Sequence, residues 1–261
     1  MREINLQLAG RGLRKISASV LQRRHYLAAW NMFRLYEHPA RMFRQYLTGS
    51  GIFPSCVRIK TPMSWLELNL YSSHDLLTVN EIFCRDDYHA ESSDKVIVDF
   101  GSNIGISAAY FLTRGPETFT YLFEPLPANI ARLKENLQRF AGRFKLEEVA
   151  VGPLDGEVNF GWEDTGRYGG VDAAFERTIR VPCRNSNRIL EEIIATHGHI
   201  DILKVDIETL EEVVIRSLPE TLVHNINKLY VEYPFHDNPL AATHTHRQYG
   251  SIAQFTRRPQ A

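Results

Sequence analysis

The chain has 261 residues, 44% of them hydrophobic and 23% charged, which is enough apolar sequence to bury a core and excludes a disordered chain. With a formal net charge of -1, the chain as a whole has no electrostatic attraction to polyanions, which disfavours nucleic acid or an anionic membrane as its main partner. The three cysteines are widely spaced, which excludes a disulfide framework, and no apolar stretch is long enough for a signal or spanning segment. We therefore expect a cytoplasmic protein with no stable membrane insertion.

The first 50 residues are predicted to be mostly helical, because apolar residues such as Leu27, Trp30 and Phe33 recur at helical spacing. Basic residues far outnumber acidic ones in this segment. We interpret it as a helical cap or a contact between copies in a homo-oligomer, with a targeting or lipid-binding helix as the alternative.

A β-hairpin and a short helix are predicted next. Apolar residues alternate with polar ones over residues 57–59 and 66–70, and Thr61-Pro62 separates the two runs. The helix should run from Leu76 to Phe83, with Asp75 or Ser73 as its cap. Residues 1–90 are thus expected to form an N-terminal helical and β-hairpin extension.

Residues 91–261 alternate apolar strand-like runs with helix-like segments, which predicts an α/β fold with a doubly wound, mostly parallel sheet. The expected core strands are 96–98, 120–123, 148–151, 200–205 and 229–231. The expected helices are 106–114, 128–140, 186–196 and 210–218. Strands at 157–161 and 177–181 flank the glycine-containing loop 162–175, which is a candidate lid.

A glycine-containing turn follows the first core strand, in the order Asp99, Phe100, Gly101, Ser102, Asn103, Ile104 and Gly105. Since it opens a helix, its backbone amides are expected to converge on a bound ligand. Asp99 could cap the loop amides and also contact the ammonium group of a methionine-type donor.

An acidic residue ends the next strand. Glu124 lies about 20 residues beyond the turn, where a carboxylate can accept hydrogen bonds from both ribose hydroxyls of an adenosine cofactor. A nicotinamide cofactor would need a glycine at position 103, where this chain has Asn103. The spacing D-x-G-x-x-x-G therefore favours S-adenosyl-L-methionine over NAD(P).

Four segments together resemble the FkbM-type methyltransferase family. They are Val98 to Gly105, Phe123-Glu124-Pro125 with Asn129, Ala150-Val151-Gly152, and Asp201 to Glu211. The resemblance extends from about residue 65 to about residue 236. It implies a class I, Rossmann-like methyltransferase that uses S-adenosyl-L-methionine, with a hydroxyl of a small molecule, sugar or natural product as the acceptor.

The resemblance also implies roles for individual positions. Asp99, Gly101, Asn103 and Gly105 would line the methionine end of the donor and Glu124 its ribose, while residues Glu148, Val149 and Ala150 would lie at the adenine edge. The chain departs from the family at Thr209, where glycine is usual, and beyond Glu232 its tail is short for a further helix and closing hairpin.

Candidate catalytic residues follow the fourth and fifth core strands, because ligands bind at the carboxyl ends of parallel strands. Asp206 is the first choice for contact with the transferred methyl group or the acceptor, or else it caps the next helix. Glu208 could share either role, and Lys204 should pair with a nearby carboxylate. His236 is a second candidate base, since imidazole titrates near neutrality.

Two further alternatives stay open at this point. His236, Asp237, His244 and His246 could bind a metal, although an H-x-H pair in a polar tail is more often solvated, so we expect no metal. The chain could also be a noncatalytic nucleoside-binding scaffold. In the lid, Trp162, Tyr168 and Phe175 would cover the acceptor or simply the edge of the sheet.

Overall fold

The computed structural model describes residues 7–8, 11–12, 23–163, 169–175 and 177–259. The chain divides into two compact units, Met1–His89 and Ala90–Ala261. Among the described residues, no helix is both long and apolar enough to cross a lipid bilayer.

The first unit contains helices and a β-hairpin. Its elements are β1 (Gln7–Leu8), β2 (Arg11–Gly12), α1 (Arg23–Leu35), α2 (Pro39–Thr48), β3 (Ser55–Lys60), β4 (Trp65–Leu70), α3 (Ser73–Val79) and a π-helical turn (Asn80–Cys84). Strands β3 and β4 pair antiparallel. Gly49, with φ of 63°, ends α2 in the left-handed conformation that glycine adopts without strain.

The cap of α3 differs from the prediction. Ser72 is the N-cap: its hydroxyl accepts from the amide of Asp75, while the Asp75 carboxylate accepts from the amide of Ser72. This reciprocal pair needs an acid three residues after the capping serine. Asp75 is therefore the partner of the cap, and Ser73 is already the first helical residue.

The second unit is built on a seven-stranded sheet whose strands run in the order β14, β15, β13, β12, β5, β6 and β7. Its strands are β5 (Val96–Phe100), β6 (Phe119–Phe123), β7 (Phe144–Glu147), β12 (Ile200–Val205), β13 (Ile226–Val231), β14 (His244–Tyr249) and β15 (Ile252–Arg257). The five strands from β13 to β7 are parallel, and β15 pairs antiparallel with β13. The predicted mostly parallel α/β sheet is confirmed.

The chain order reverses at the centre of this sheet. From β5 the chain proceeds outward to β6 and β7, and then returns to β12 on the other side of β5. The helices of the unit are α4 (Ile106–Leu112), α5 (Pro127–Asn136), α6 (Ser186–His197), α7 (Glu211–Arg216) and α8 (Glu220–Val223). A crevice opens at the carboxyl ends of β5 and β12, where open α/β sheets bind ligands.

The prediction of a core strand at residues 148–151 is wrong. The third strand is β7, Phe144–Glu147, whose residues are only partly buried because β7 lies at the edge of the sheet. An edge strand does not produce a continuous apolar run, so the apolar pattern of the sequence did not indicate β7. The apolar residues that follow form β8 (Ala150–Gly152) of a second sheet.

This second sheet has four strands in the order β10, β9, β11 and β8. Strands β9 (Gly156–Trp162), β10 (Gly169–Val171) and β11 (Arg177–Asn185) form an antiparallel insertion, and β8 joins β11 in parallel. The predicted strands flanking the insertion loop are therefore present and longer than expected.

The C-terminal tail also differs from the sequence interpretation. It does form a closing hairpin, β14 and β15, which pair from His244 with Arg257 to Tyr249 with Ile252. Strand β14 lies at the other edge of the sheet and is therefore rich in polar residues. The apolar pattern of the sequence for this reason did not indicate the hairpin. Within it, His244 is fully buried and its ring bonds the Ile226 carbonyl and the Thr243 hydroxyl, so it is not a solvated tail residue.

Candidate functional site

A cavity that is open to solvent, with about 570 Å³ of empty space including its mouth, lies at the carboxyl ends of β5, β6 and β12. Its lining combines residues from the sheet edge with residues from the insertion. They are Gly101, Asn103, Phe123, Glu124, Pro125, Leu126, Asn129, Val149, Ala150, Val151, Phe160, Gly169, Val171, Asp206, Ile207 and Glu208. The cavity lies where the strand order reverses, which is where open α/β sheets bind ligands.

The glycine turn after β5 passes very close to the end of β12. Gly101 has φ of 80°, and a Cβ atom placed on it would lie 1.8 Å from the carbonyl oxygen of Asp206. Any other residue at position 101 would push the two strand ends apart. Gly101 therefore brings the two strand ends that carry Asn103 and Asp206 into one cavity.

The amides of this turn do not point at a ligand, contrary to the expectation from the sequence. Gly101 and Ser102 both donate to the carbonyl of Phe123, and Gly105 donates to the carbonyl of Ser102. The amide of Asn103 donates to a carboxylate oxygen of Glu124 at 2.9 Å, and that of Ile104 to the side chain of Asn103 at 2.8 Å. Recognition by bare backbone amides, as in phosphate-binding turns, is absent over residues 101–105.

Glu124 is 4% exposed and lines the cavity. Its Oε2 accepts from the amide of Asn103, and its Oε1 accepts from the amide of Leu126 at 3.0 Å and from the side-chain amide of Asn129 at 3.3 Å. Burial raises the pKa of Glu124 to about 7, and the two backbone hydrogen bonds oppose that rise. Two carboxylate oxygens fixed in this way keep lone pairs available for hydroxyl donors.

Lys204 lies beneath the cavity and joins three groups. Its ammonium donates to Asp99 Oδ1 and to the Gly101 carbonyl, both at 3.0 Å, and lies 3.3 Å from Asp206 Oδ2. Although burial lowers it, the pKa of Lys204 is raised above its ordinary value by the carboxylates of Asp99 and Asp206. The predicted pairing of this lysine with nearby carboxylates is therefore present.

Asp99 is placed differently from the position expected for contact with a donor ammonium. Its carboxylate is fully buried, accepts from Lys204 and from the Ser107 hydroxyl at 2.6 Å, and does not line the cavity. Burial raises the pKa of Asp99, and Lys204 opposes the rise. Ser102 is also buried behind the cavity, where its hydroxyl donates to the Asp99 carbonyl.

Asp206 and Glu208 bring carboxylates to the cavity from the turn after β12. Glu208 and Thr209 have φ of 53° and 77°, which is the left-handed region that side chains rarely adopt. Glycine adopts this conformation without strain, which explains why the family resemblance leads us to expect a glycine where this chain has Thr209. The next acid, Glu211, is buried and accepts from the Ile207 amide at 3.0 Å, so it stabilises the turn.

The insertion forms one wall of the cavity. Phe160 of β9 and Gly169 and Val171 of β10 line it, and the Thr209 hydroxyl donates to the Val171 carbonyl at 3.3 Å. A lid contributed by this insertion was expected from the sequence, but Trp162 and Phe175 do not line the cavity. Tyr168, the third aromatic residue of that expectation, lies outside the described residues.

Other candidates lie away from the cavity. His236 is exposed and absent from the lining, and Glu148 is paired at the surface with Lys134 at 2.7 Å. Gly105 faces Leu133 and Leu137. Among the described residues no group of three or more His, Cys, Asp or Glu side chains could hold a metal ion.

Sequence reasoning assigned no binding role to eight of the lining residues, although Gly169 and Val171 lie in the predicted lid. They are Phe123, Leu126, Asn129, Val151, Phe160, Gly169, Val171 and Ile207. Asn129 belongs to the motif after β6. Because it lies five residues after Glu124, in the first turn of the next helix, its contact with Glu124 could have been predicted from the sequence. Phe160 offered no signal, because its place in the wall depends on how the second sheet packs.

The chain is similar to several known proteins. A family model described as the methyltransferase FkbM domain matches residues 99–255. The AMB antimetabolite synthetase AmbE of Pseudomonas aeruginosa is 24% identical over 69% of this chain, which spans 11% of AmbE. The 2-O-methyltransferase NoeI of Sinorhizobium fredii is 30% identical over 55% of this chain, which spans 65% of NoeI. A putative rRNA methylase structure from Clostridium thermocellum covers 71% of this chain and 96% of its own, with 9% identity and a TM-score of 0.40.

Proposed function

The chain belongs to the FkbM family of S-adenosylmethionine-dependent methyltransferases, and we propose that it methylates a hydroxyl group of a small molecule or glycan. The hydroxyl acceptor is supported by the relative NoeI, which is named a 2-O-methyltransferase. The observation that carries the proposal is that two carboxylates, Glu124 and Asp206, line one cavity at the sheet edge while a buried lysine orients the second.

The residues of the cavity fit the donor. The Glu124 carboxylate would accept hydrogen bonds from the ribose hydroxyls, and the apolar side chains of Leu126, Val149 and Phe160 would pack against the adenine ring. When bound, S-adenosylmethionine supplies an electrophilic methyl group. Since the turn amides are already bonded within the protein, side chains and cavity shape would provide the selection.

Asp206 would position the acceptor hydroxyl and accept its proton. Its carboxylate lines the cavity at the end of β12, on the side opposite the Glu124 strand across β5. A correctly oriented acceptor reacts faster because the entropy cost of alignment has been met on binding. We place Asp206 rather than His236 in this role, because His236 is outside the lining.

Lys204 and Asp99 would act through Asp206 and the glycine turn. The Lys204 ammonium holds the Asp206 carboxylate at 3.3 Å and the Gly101 carbonyl at 3.0 Å, while Asp99 fixes the lysine from below. Both are positioning residues in this proposal. Glu208, which also lines the cavity, would contact the acceptor.

The test is a methyl-transfer assay with labelled S-adenosylmethionine against matched hydroxyl and amine compounds, including simple deoxysugars and their amino analogues. We expect transfer to hydroxyls, and Asp206→Asn should reduce turnover by about 100-fold while changing donor affinity little. Glu157→Gln is the matched control, since Glu157 is exposed on the second sheet and paired with Arg180.

Three outcomes would contradict the proposal. Transfer to amines alone would overturn the hydroxyl acceptor, and a normal rate for Asp206→Asn would remove this residue as the base. Donor binding without transfer to any compound of the panel would favour the noncatalytic scaffold that the sequence left open.

A further inference from the structure

Helices α1 and α2 present an apolar face to solvent. Tyr26 and Trp30 of α1 are each 62% exposed, Phe33 is 53% exposed, and Leu27 is 50% exposed. Spacings of four and seven residues place Tyr26, Trp30 and Phe33 on one side of the helix. The opposite side of α1 carries the buried Met32. Leu47 of α2, 53% exposed, adds a further aliphatic side chain.

Positive charge accompanies this face. The sequences of α1 and α2 contain arginines but no aspartate or glutamate. Arg34, Arg41 and Arg44 are exposed, and none of them forms an ion pair with another described residue. The acid between the two helices, Glu37, is neutralised by Arg58.

We propose that α1 and α2 dock on the surface of an anionic lipid bilayer, with the face of Tyr26, Leu27, Trp30 and Phe33 inserted at the level of the headgroups. Aromatic rings with a polar edge favour that level of a bilayer, and arginines beside them are attracted to anionic headgroups. The helices would lie on the membrane and would not span it.

Two other partners fit the face less well. A symmetric contact with a second copy would bring the arginines of both copies together without an acid to offset them. A single-stranded nucleic acid would stack on the aromatic rings, but the exposed Leu27 and Leu47 offer it no stacking surface. A bilayer accepts aromatic and aliphatic side chains alike.

The test is co-sedimentation of the full chain with vesicles of phosphatidylcholine and with vesicles that also contain phosphatidylglycerol. We expect binding to the mixed vesicles that weakens as salt is raised, accompanied by a blue shift of tryptophan fluorescence. The variant Trp30→Ser with Phe33→Ser should bind at least about tenfold more weakly, because it removes two inserted rings. Leu154→Ser, at an apolar position 73% exposed in the second unit, is the matched control.

The variants are also tested for folding by thermal unfolding and for binding of S-adenosylhomocysteine. A folded double variant that keeps wild-type vesicle binding would overturn the proposal, as would a wild-type chain that ignores the mixed vesicles. A dimer detected by light scattering and abolished by the double variant, without vesicle binding, would assign the face to a second copy. Binding of single-stranded nucleic acid in place of vesicles would likewise overturn it.

Discussion

At the scale of single residues, the site depends on buried charges that are held by defined partners. Glu124 is fixed by two backbone amides and one side-chain amide, and Lys204 is shared by Asp99, Asp206 and the Gly101 carbonyl. Such groups cannot be replaced one at a time without leaving a buried partner unmatched. The effects of substitution should therefore be large, and they should differ between ligand affinity and stability.

For Glu124, we expect Glu124→Gln to weaken binding of S-adenosylhomocysteine by about 1 to 3 kcal/mol, because two ribose hydroxyls would lose a charged acceptor. Since the pKa of Glu124 is raised to about 7, wild-type affinity should also rise as pH increases through 7, whereas that of the variant should not. Calorimetry across this pH range is the measurement. Glu148→Gln, at the exposed pair with Lys134, should bind as the wild type does; equal losses in both variants would contradict the ribose assignment.

For Lys204, we expect Lys204→Met to lower the free energy of unfolding by about 3 to 5 kcal/mol, because it leaves the buried carboxylate of Asp99 without its positively charged partner. Lys95→Met is the matched control, since the pair of Lys95 with Glu117 is exposed and screened by solvent, so its loss should change stability little. Urea unfolding compares the two variants. Similar small losses in both would show that Lys204 is not a buried ion-pair partner.

At the scale of elements, two strand ends meet at one glycine turn, and the second sheet closes the side of the cavity. Gly101 permits the contact of the β5 end with the Asp206 carbonyl. The strained turn at Glu208 and Thr209 then leads the chain under Val171 of the insertion. The wall of the cavity is thus tied to the end of a core strand.

Gly101→Ala tests this close approach. Because its Cβ would lie 1.8 Å from the Asp206 carbonyl oxygen, we expect it to cost at least about 2 kcal/mol more of unfolding free energy than Gly142→Ala, and to lose donor binding. Gly142 has a similar φ of 83° with nothing within 4 Å, so its variant isolates the backbone strain alone. Thermal unfolding of both proteins decides the matter, and equal costs would disprove the steric reason.

Much of this arrangement could be predicted from the sequence, and the exceptions have physical causes. Buried parallel strands such as β5 and β12 produce continuous apolar runs, and the glycine turn and Glu124 stand at a fixed spacing after two of them. Edge strands β7 and β14 mix polar and apolar residues and were missed. The internal bonding of the turn amides and the wall from Phe160 depend on contacts between distant segments, which local patterns do not encode.

At the scale of the whole molecule, burial of acids couples folding to pH. The pKa of Glu124 is raised by burial from 4.5 to about 7, so the folded chain binds this proton more tightly than the unfolded chain does. The stability that this group contributes is fully present below about pH 4.5 and is lost as pH rises through about 7. Burial raises the pKa values of Asp99 and Glu211 in the same direction.

We therefore expect the free energy of unfolding of the ligand-free wild type to fall as pH rises from about 5 to about 8 by more than that of Glu124→Gln, which has no proton to lose at this position. Urea unfolding at several pH values measures the difference. Glu148→Gln serves as the control and should follow the wild type. Parallel pH profiles for wild type and Glu124→Gln would mean that Glu124 does not titrate in this range.

The fully bonded glycine turn has a consequence for the kinetics of the donor. A loop whose amides are already saturated by its own chain does not have to become ordered when a nucleoside arrives, so little conformational entropy is spent at that point. The donor can then enter and leave the cavity without any rearrangement of the glycine turn. Slow steps, if turnover has them, should arise at the insertion wall beside Thr209 and not at the glycine turn.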